Sequence, residues 1–551
     1  MSAFLALDLG TEGARAAVYH PDGTCAGAGE DSYPTSFPRP GWAEQNPDDW
    51  WRASVNAVRA ALEEAGNPQV AGVGVATTAS TVAVLDRHGR PLRPALLWMD
   101  ARASAESALT ARVEHPVLRY SGRGDAVEWL VPKAMWLARN EPGVYREAAR
   151  IVEAVDYVVW RLTGRWAGSR MNAVCKSNYD PRGAGHPHDL YELLGVGDLG
   201  AKVPAEIVPV GDPIAQVCAA ARAELGLTGP AVVASGGIDA HLSLLALGGA
   251  REGRVSIVCG TSNAFVTEIA EPVFPATVWG PYPDALRTGH WLVEGGQVSA
   301  GSVLAWAGER LMGRTRAEIG GLIKAAAALP PVEHGLIVLD YFMGNRTPLR
   351  DPRLRGAVLG LTLASTPEQV YRAAVEGVAY GTRQVIDSFT EGGVAVEEIF
   401  VSGGIRHNEL WLQTTADVLG RPISLAGEDN LTLRACSVIA SVGAGRHATL
   451  DEAAAEYAPR LRVVEPQAAH AGAYRHGYAD YLAATAATTP VAHRLTAPDR
   501  LEGAHERPRR LRRPALPGRR PLLRGRPDPG ADRPRPPPHP VEGGPDAGRG
   551  P

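Results

Sequence analysis

Hydrophobic and polar positions alternate with a period of two from Leu5 to Tyr19 (LALDLGTEGARAAVY) and again from Val255 to Glu268 (VSIVCGTSNAFVTE). Each alternation is broken once, by a Gly-Thr turn, and that pattern predicts a β-hairpin. Two such hairpins about 250 residues apart predict a duplicated domain. Helical spacing replaces the alternation from Asp48 to Ala65, with carboxylates in the first turn, and from Ser365 to Glu391, which opens S-x-x-E with a proline beside it. Val70–Ala76 (VAGVGVA) predicts a short strand. Val401 leads a strand into Gly403-Gly404, and a helix follows from Leu410 to Leu419. The pattern therefore predicts two α/β domains facing one another, each with a Gly-Thr hairpin whose backbone amides are free.

Composition changes that picture at one end only. The chain has 551 residues, 45% hydrophobic and 21% charged, which fits several globular domains. The longest apolar stretch, Ala231 to Leu247, carries Asp239 and His241, so no membrane partner is expected. Five scattered cysteines without a CxxC pair, and an N-terminus with no basic leader, predict a cytoplasmic protein without a disulfide framework or zinc site. The net charge of −4 hides a split: residues 491–551 hold 14 Arg and 7 acids, about +7, which leaves about −11 for the rest. An acidic body predicts no nucleic-acid partner. The Arg/Pro-rich segment 486–551 predicts a disordered, solvated tail, with an RNA or anionic-surface tether as the functional alternative.

A tight Gly-Thr turn presents N–H groups and a hydroxyl, which suit phosphate oxygens, although an ordinary hairpin would look the same. Asp8 ends the strand before the first turn, where a carboxylate can hold Mg²⁺ or simply cap the turn. Asp239 follows a strand and two glycines (ASGGIDAH) and opens a helical stretch. It is placed to accept a hydroxyl proton during attack on phosphorus, or to act as a helix cap. His241 fits helix-start packing better than a base. Three glycine-rich turns together suggest a nucleotide held between two domains.

The motifs LDLGTEGAR, GWAEQNPDDWW, LLWMDARA, EWLVPKAMWL, CKSNYDP, SGGIDAH, CGTSNAF, EGGQVSAGS, DYFMGNRTPLRDPRLRG and SGGIRHNELWLQTTADVLGRP resemble the FGGY family of carbohydrate kinases, from about Phe4 to Leu482. The resemblance implies two RNase-H-like domains of the actin/Hsp70/sugar-kinase superfamily around a cleft. Residues 1–245 would carry the sugar site and first phosphate loop, and 246–485 the nucleotide site. ATP and Mg²⁺ are the implied cofactors, a small sugar the partner, and a homodimer the family default. Asp239 would be the catalytic base, with Asp8 and Asp239 organising Mg²⁺. Gly10, Thr11 and Arg15 would form the first phosphate loop, and Gly260, Thr261 and Ser262 the second. Gly301, Gly403, Gly404 and Asn408 would line the nucleotide site.

CKSNYDP and EGGQ are similar to the ribulokinase-like branch, whose pattern implies sugar contacts from Lys176 and Glu294 and an apolar wall from Trp129. Trp98, Asp100 and Arg102 of WMDAR would shape the same pocket or form an internal ion pair. Arg346 of GNRTP would be structural or near the site. The implied reaction is phosphorylation of the terminal hydroxyl of a ketopentose, D-ribulose first. Xylulose, L-ribulose and polyols are alternatives within the family. A sugar sensor and an Hsp70-like ATPase are the rival classes.

Several positions depart from the family pattern. Glu12, Gly13 and Ala14 replace hydroxyl residues, and Arg15 replaces Lys. Ala76 stands where an acid is expected, and Ser177 where Trp is frequent. Arg434-Ala435 replaces Leu-Gly, which would alter the start of a late helix.

Overall fold

The computed structural model describes residues 2–122, 124–427 and 430–496. Two mixed sheets dominate it, and they repeat one plan. In the first, Cys25–Ser32, Gly13–Tyr19 and Ala3–Leu9 run antiparallel to one another, and Ala3–Leu9 then pairs in parallel with Val70–Thr77 and, beyond it, Val232–Ala234. In the second, Trp291–Gln297, Asn263–Ile269 and Arg254–Cys259 are antiparallel, and Arg254–Cys259 pairs in parallel with Glu398–Gly403 and then Ile423–Ala426. Both hairpins are therefore at the centre of their sheets, and both Gly-Thr turns lie at strand ends, where open α/β sheets bind ligands.

Local chemistry explains the elements. Helix Pro47–Glu64 starts with Asn46 accepting the Asp48 N–H and carries Asp48 and Asp49 in its first turn. It lies on Gly13–Tyr19 and the next strand, Cys25–Ser32, where Gly29 makes room for it: a Cβ there would fall 2.3 Å from the Ala57 carbonyl oxygen. Helix Pro367–Glu391 is capped by a box formed by Thr366 and Gln369, one residue beyond the Ser365/Glu368 pair that the sequence suggested.

Two helices interleave the lobes. Helix Asp239–Ala246 follows the first sheet and packs on Arg254–Cys259 and Asn263–Ile269 of the second. Helix Leu431–Gly443 follows the second sheet and packs on Val70–Thr77 and Ala3–Leu9 of the first. Its seat is cut to backbone contact. A Cβ at Gly74 would lie 2.0 Å from the Cys436 carbonyl oxygen, and one at Gly72 2.3 Å from that of Ala440. The start of this helix is regular despite Arg434-Ala435. Asn430 accepts the Leu433 N–H, and buried Arg434 donates to the carbonyls of Tyr457 and Gly23.

The last helix runs Ala471–Leu495, so ordered chain continues ten residues past the boundary expected at 485. The rest of the predicted tail lies outside the described residues. Among those described, no helix is long and apolar enough to cross a membrane.

Candidate active site

A cleft of about 1540 Å³ opens between the two sheets. Asp8, Gly10, Thr11 and Arg15 line it from the first hairpin, Thr261 and Ser262 from the second, and Gly403 and Gly404 from the third glycine-rich turn. Asp239 lines it from the first turn of its helix. The structure thus brings together residues from positions 8 to 404 on one surface.

The first turn is braced on three sides. Gly10 N–H donates to the Gly13 carbonyl at 3.0 Å, and the Tyr33 hydroxyl donates to the Gly10 carbonyl at 2.5 Å. Gln45 Nε2 donates to the Thr11 carbonyl at 2.7 Å, and Trp98 Nε1 to Thr11 Oγ1 at 3.0 Å. Tyr33 and Gln45 were not singled out from the sequence; they are distant in the chain from the turn they hold. Glu12, at the tip, is exposed and also lines the cleft.

Asp8 is buried, and Arg15 Nη1 stands 3.6 Å from its Oδ2. Burial pushes its carboxyl up to about 6, against the opposing pull of Arg15 and Asn430. Its Oδ1 has no hydrogen-bond partner among the described residues. Burial and the Asp8 charge push Asp239 up to about 7, while the Ala240 N–H, 2.7 Å from Oδ1, opposes this. A carboxylate poised near neutrality can take a proton from an alcohol under ordinary conditions. Two adjacent carboxylates, one with an unpaired oxygen, fit a Mg²⁺ ion that keeps waters and phosphate oxygens as its other ligands. They do not form an all-protein cage: among the described residues no group of three or more His, Cys, Asp or Glu could hold a metal.

Not every expected residue faces the cleft. Gly301 packs against the second turn, its N–H donating to the Gly260 carbonyl at 3.0 Å, where a Cβ would lie 2.5 Å from that oxygen. Gly260 itself closes the turn onto the Ser262 carbonyl at 2.9 Å. Asn408 caps helix Glu409–Leu419 through the Trp411 N–H and reaches the Tyr371 hydroxyl. Arg102 has a fully enclosed side chain, bonded to Asp100 at 2.7 and 2.8 Å and to Glu44 at 2.8 Å, with its guanidinium 3.7 Å from the Trp42 ring centroid. The Asp100 carboxylate is further occupied by the Ala43 N–H. This is the internal ion pair of the two readings, so neither Asp100 nor Arg102 is carried into the sugar site, although Asp100 borders the cleft.

Lys176 and Glu294, 118 residues apart, meet as a buried pair at 2.8 Å. His241 Nε2 is 3.2 Å from the same carboxylate. Burial alone would raise Glu294, but Lys176 and His241 overcome it and hold the carboxyl well below the usual range. Lys176 Nζ lies 5.2 Å from the Trp129 ring centroid and 5.9 Å from that of Trp279. Lys176, Glu294 and Trp129 stand in a layer behind the cleft surface, while Trp279, Asp125, Glu128, Arg346 and Arg350 face it. Arg346 crosses between the lobes to Glu128 at 2.9 Å.

The N-terminal domain of the FGGY family of carbohydrate kinases matches residues 3–246, and its C-terminal domain matches 255–443. The chain belongs to this family. An FGGY carbohydrate kinase domain-containing protein of Danio rerio is 28% identical over 87% of this chain and 96% of its own length. A ribulokinase of Geobacillus thermodenitrificans is 31% identical over 80% of this chain and 86% of its own. Among solved structures, a xylulose kinase from Rhodospirillum rubrum has a TM-score of 0.78 at 26% identity, covering 89% of this chain and 100% of that one. The two-lobed actin/Hsp70-like plan expected from the resemblance is the fold of this FGGY kinase. It is a sugar kinase, an enzyme of a family that uses ATP. Relatives named as ribulokinases and solved structures named as xylulose kinases each match most of the chain.

Proposed function

We propose that this FGGY kinase transfers the γ-phosphoryl group of ATP to the terminal hydroxyl of a ketopentose, D-ribulose first, giving D-ribulose 5-phosphate. The observation that carries the reading is Asp239: a carboxylate at the start of its helix, with Asp8 nearby, opening onto a cleft bounded by both Gly-Thr turns. The sugar hydroxyl gives its proton to an Asp239 oxygen as its own oxygen bonds to the γ-phosphorus. The bond from phosphorus to the β–γ bridging oxygen breaks, and ADP leaves with that electron pair. The amides and hydroxyls of Thr11, Thr261 and Ser262 orient phosphate oxygens, Arg15 adds positive charge, and Gly403 and Gly404 let the nucleotide approach the backbone. Asp8 and Asp239 would hold Mg²⁺, which when bound neutralises phosphate charge. The Lys176–Glu294–His241 layer and Trp129 support the sugar end, and the ribulokinase relatives favour ribulose there. Xylulose kinase structures of the same fold favour D-xylulose as the second reading.

The test is a coupled ADP-release assay over D-ribulose, L-ribulose, D-xylulose, L-xylulose, ribitol, erythritol and glycerol, with Asp239→Asn alongside. Fastest turnover of D-ribulose and an inactive variant support both assignments. A different best sugar keeps the base and changes the substrate. Sugar binding without turnover moves the protein to a sensor.

A further inference from the structure

The cleft wall also carries a carboxylate that the phosphoryl chemistry leaves without a task. Asp125 is only 4% exposed, yet it lines the cleft. Its backbone is fixed at both ends: the N–H donates to Thr110 Oγ1 at 2.9 Å and the carbonyl accepts from Ser107 Oγ at 2.7 Å. Asn178 Nδ2 donates to Oδ2 at 2.8 Å, from a buried residue held at φ +59°. The other oxygen, Oδ1, is buried with no hydrogen-bond partner among the described residues. Burial raises this carboxyl, and the Asn178 and Ser121 side chains do not overcome that; the Ser121 hydroxyl itself donates to the Leu118 carbonyl at 3.1 Å.

Two buried donors share the neighbourhood. Trp129 Nε1 and the Tyr282 hydroxyl lack partners among the described residues, and their rings stand 6.4 Å apart. The Asp125 charge is among those that act on Tyr282. An unmet buried polar group costs about 1–3 kcal/mol, so Asp125 Oδ1, on the cleft wall with unmet donors in the layer behind it, is an acceptor awaiting a polar occupant. A polyhydroxylated chain supplies both the O–H donors and the oxygen acceptors. Asp8 and the strand that leads into Asp239 both pair at Ala76, whereas Asp125 lines the cleft with Glu128, Arg346 and Trp279, where Arg346 bonds Glu128 and lies over the Trp279 ring, so Asp125 serves a part of the occupant away from the transferred phosphoryl group.

Resting on the sugar-kinase reading of the cleft, we propose that Asp125 is a specificity-determining residue. Its Oδ1 accepts a hydrogen bond from the sugar hydroxyl at the end opposite the phosphorylated one, O1 of a ketopentose. The residue thereby selects fully hydroxylated chains over deoxygenated ones.

The test crosses a substrate deletion with a residue change. Full-length wild type and Asp125→Ala are assayed with D-ribulose and its 1-deoxy analogue, or with D-xylulose and 1-deoxy-D-xylulose if xylulose is the better substrate. The Ala variant keeps the backbone bonds to Thr110 and Ser107 but offers the sugar hydroxyl neither acceptor nor donor. Wild type should prefer the complete sugar by roughly 100-fold or more in kcat/KM, and the variant by less than about tenfold, with the deoxy sugar's own kcat/KM nearly unchanged. Equal losses on both sugars overturn the assignment and make Asp125 structural. Wild type that does not discriminate overturns it without any variant, which covers a variant that fails to fold. If no sugar is turned over, the same ratio is read from dissociation constants by calorimetry. A preserved ratio then keeps Asp125 and overturns the kinase reading, whereas no sugar binding overturns both.

Discussion

The two hairpins share a backbone plan and divide the chemistry between them. Asp8 pairs in register with Arg15 beside the first turn; the corresponding pair beside the second is Val258 and Ala264. The first turn closes Gly10 onto Gly13, the second Gly260 onto Ser262, one residue tighter. The same asymmetry recurs in the interleaved helices. The first begins with Asp239, and the second begins with Leu431 after the neutral cap Asn430. Both carboxylates of the proposed transfer thus come from the first lobe, and the second lobe offers amides and hydroxyls. The two turns share one strand plan, and charge at only one of them gives the cleft a polarity for the proposed phosphoryl transfer.

Erasing that asymmetry should produce the largest effects. Asp239→Asn is expected to lower kcat by roughly 10³-fold while the protein stays folded by circular dichroism, since a base that cannot ionise loses the whole proton-transfer contribution. Asp8→Val, which gives the first strand the residue of the second, should lower kcat by roughly 10²-fold. It should also raise the melting temperature, because Asp8 ionises at the expense of burial. The reverse change, Val258→Asp, should gain no activity. Arg15→Ala should act mainly on the KM for ATP, by about tenfold, because its guanidinium is 47% exposed and screened.

The lobes also differ in how they seat the interleaved helices. The Val70–Thr77 strand uses Gly72 and Gly74; its counterpart Glu398–Gly403 has no glycine before its last position. Gly74→Val should cost about 3 kcal/mol or more in urea denaturation, because a backbone carbonyl occupies the space of the added carbon.

A further effect, which appears only as pH is varied, concerns acids buried in the first lobe. Burial pushes Asp156 up to about 8. Between about pH 4 and 8 the folded chain holds a proton that the unfolded chain has lost, so this group's contribution to stability falls as pH rises. Asp156→Asn, whose side-chain oxygen can still accept the Ser169 N–H, should flatten that slope and gain most at pH 8 and above. Denaturation midpoints at pH 5 and pH 8.5 measure the difference.

Local features were readable in the sequence because local interactions make them. Period-two alternation marked both hairpins, and the carboxylates from Asp48 and the S-x-x-E at Ser365 with its proline marked helix starts within a residue or two. Asp239 was legible because a strand, two glycines and an acid stand together. Asn408, which the family resemblance implies for the nucleotide site, also caps helix Glu409–Leu419, a role its isolated position in the sequence did not show. Asp100 and Arg102 were ambiguous because Trp42 and Glu44, which enclose Arg102, lie some 60 residues earlier. Asp125 gave no signal, since its meaning depends on Asn178 and on an oxygen left unpaired by the whole fold.

The helix Leu431–Gly443, seated against Gly72 and Gly74, has a consequence for how the chain can be divided. A fragment ending before residue 431 would present a sheet face of glycines and valines with nothing to cover it, and would be prone to self-association. Supplying residues 431–496 as a separate piece would restore the missing surface, so the chain is suited to reconstitution from two fragments. The break between its halves in sequence is therefore not the break between its halves in cooperativity.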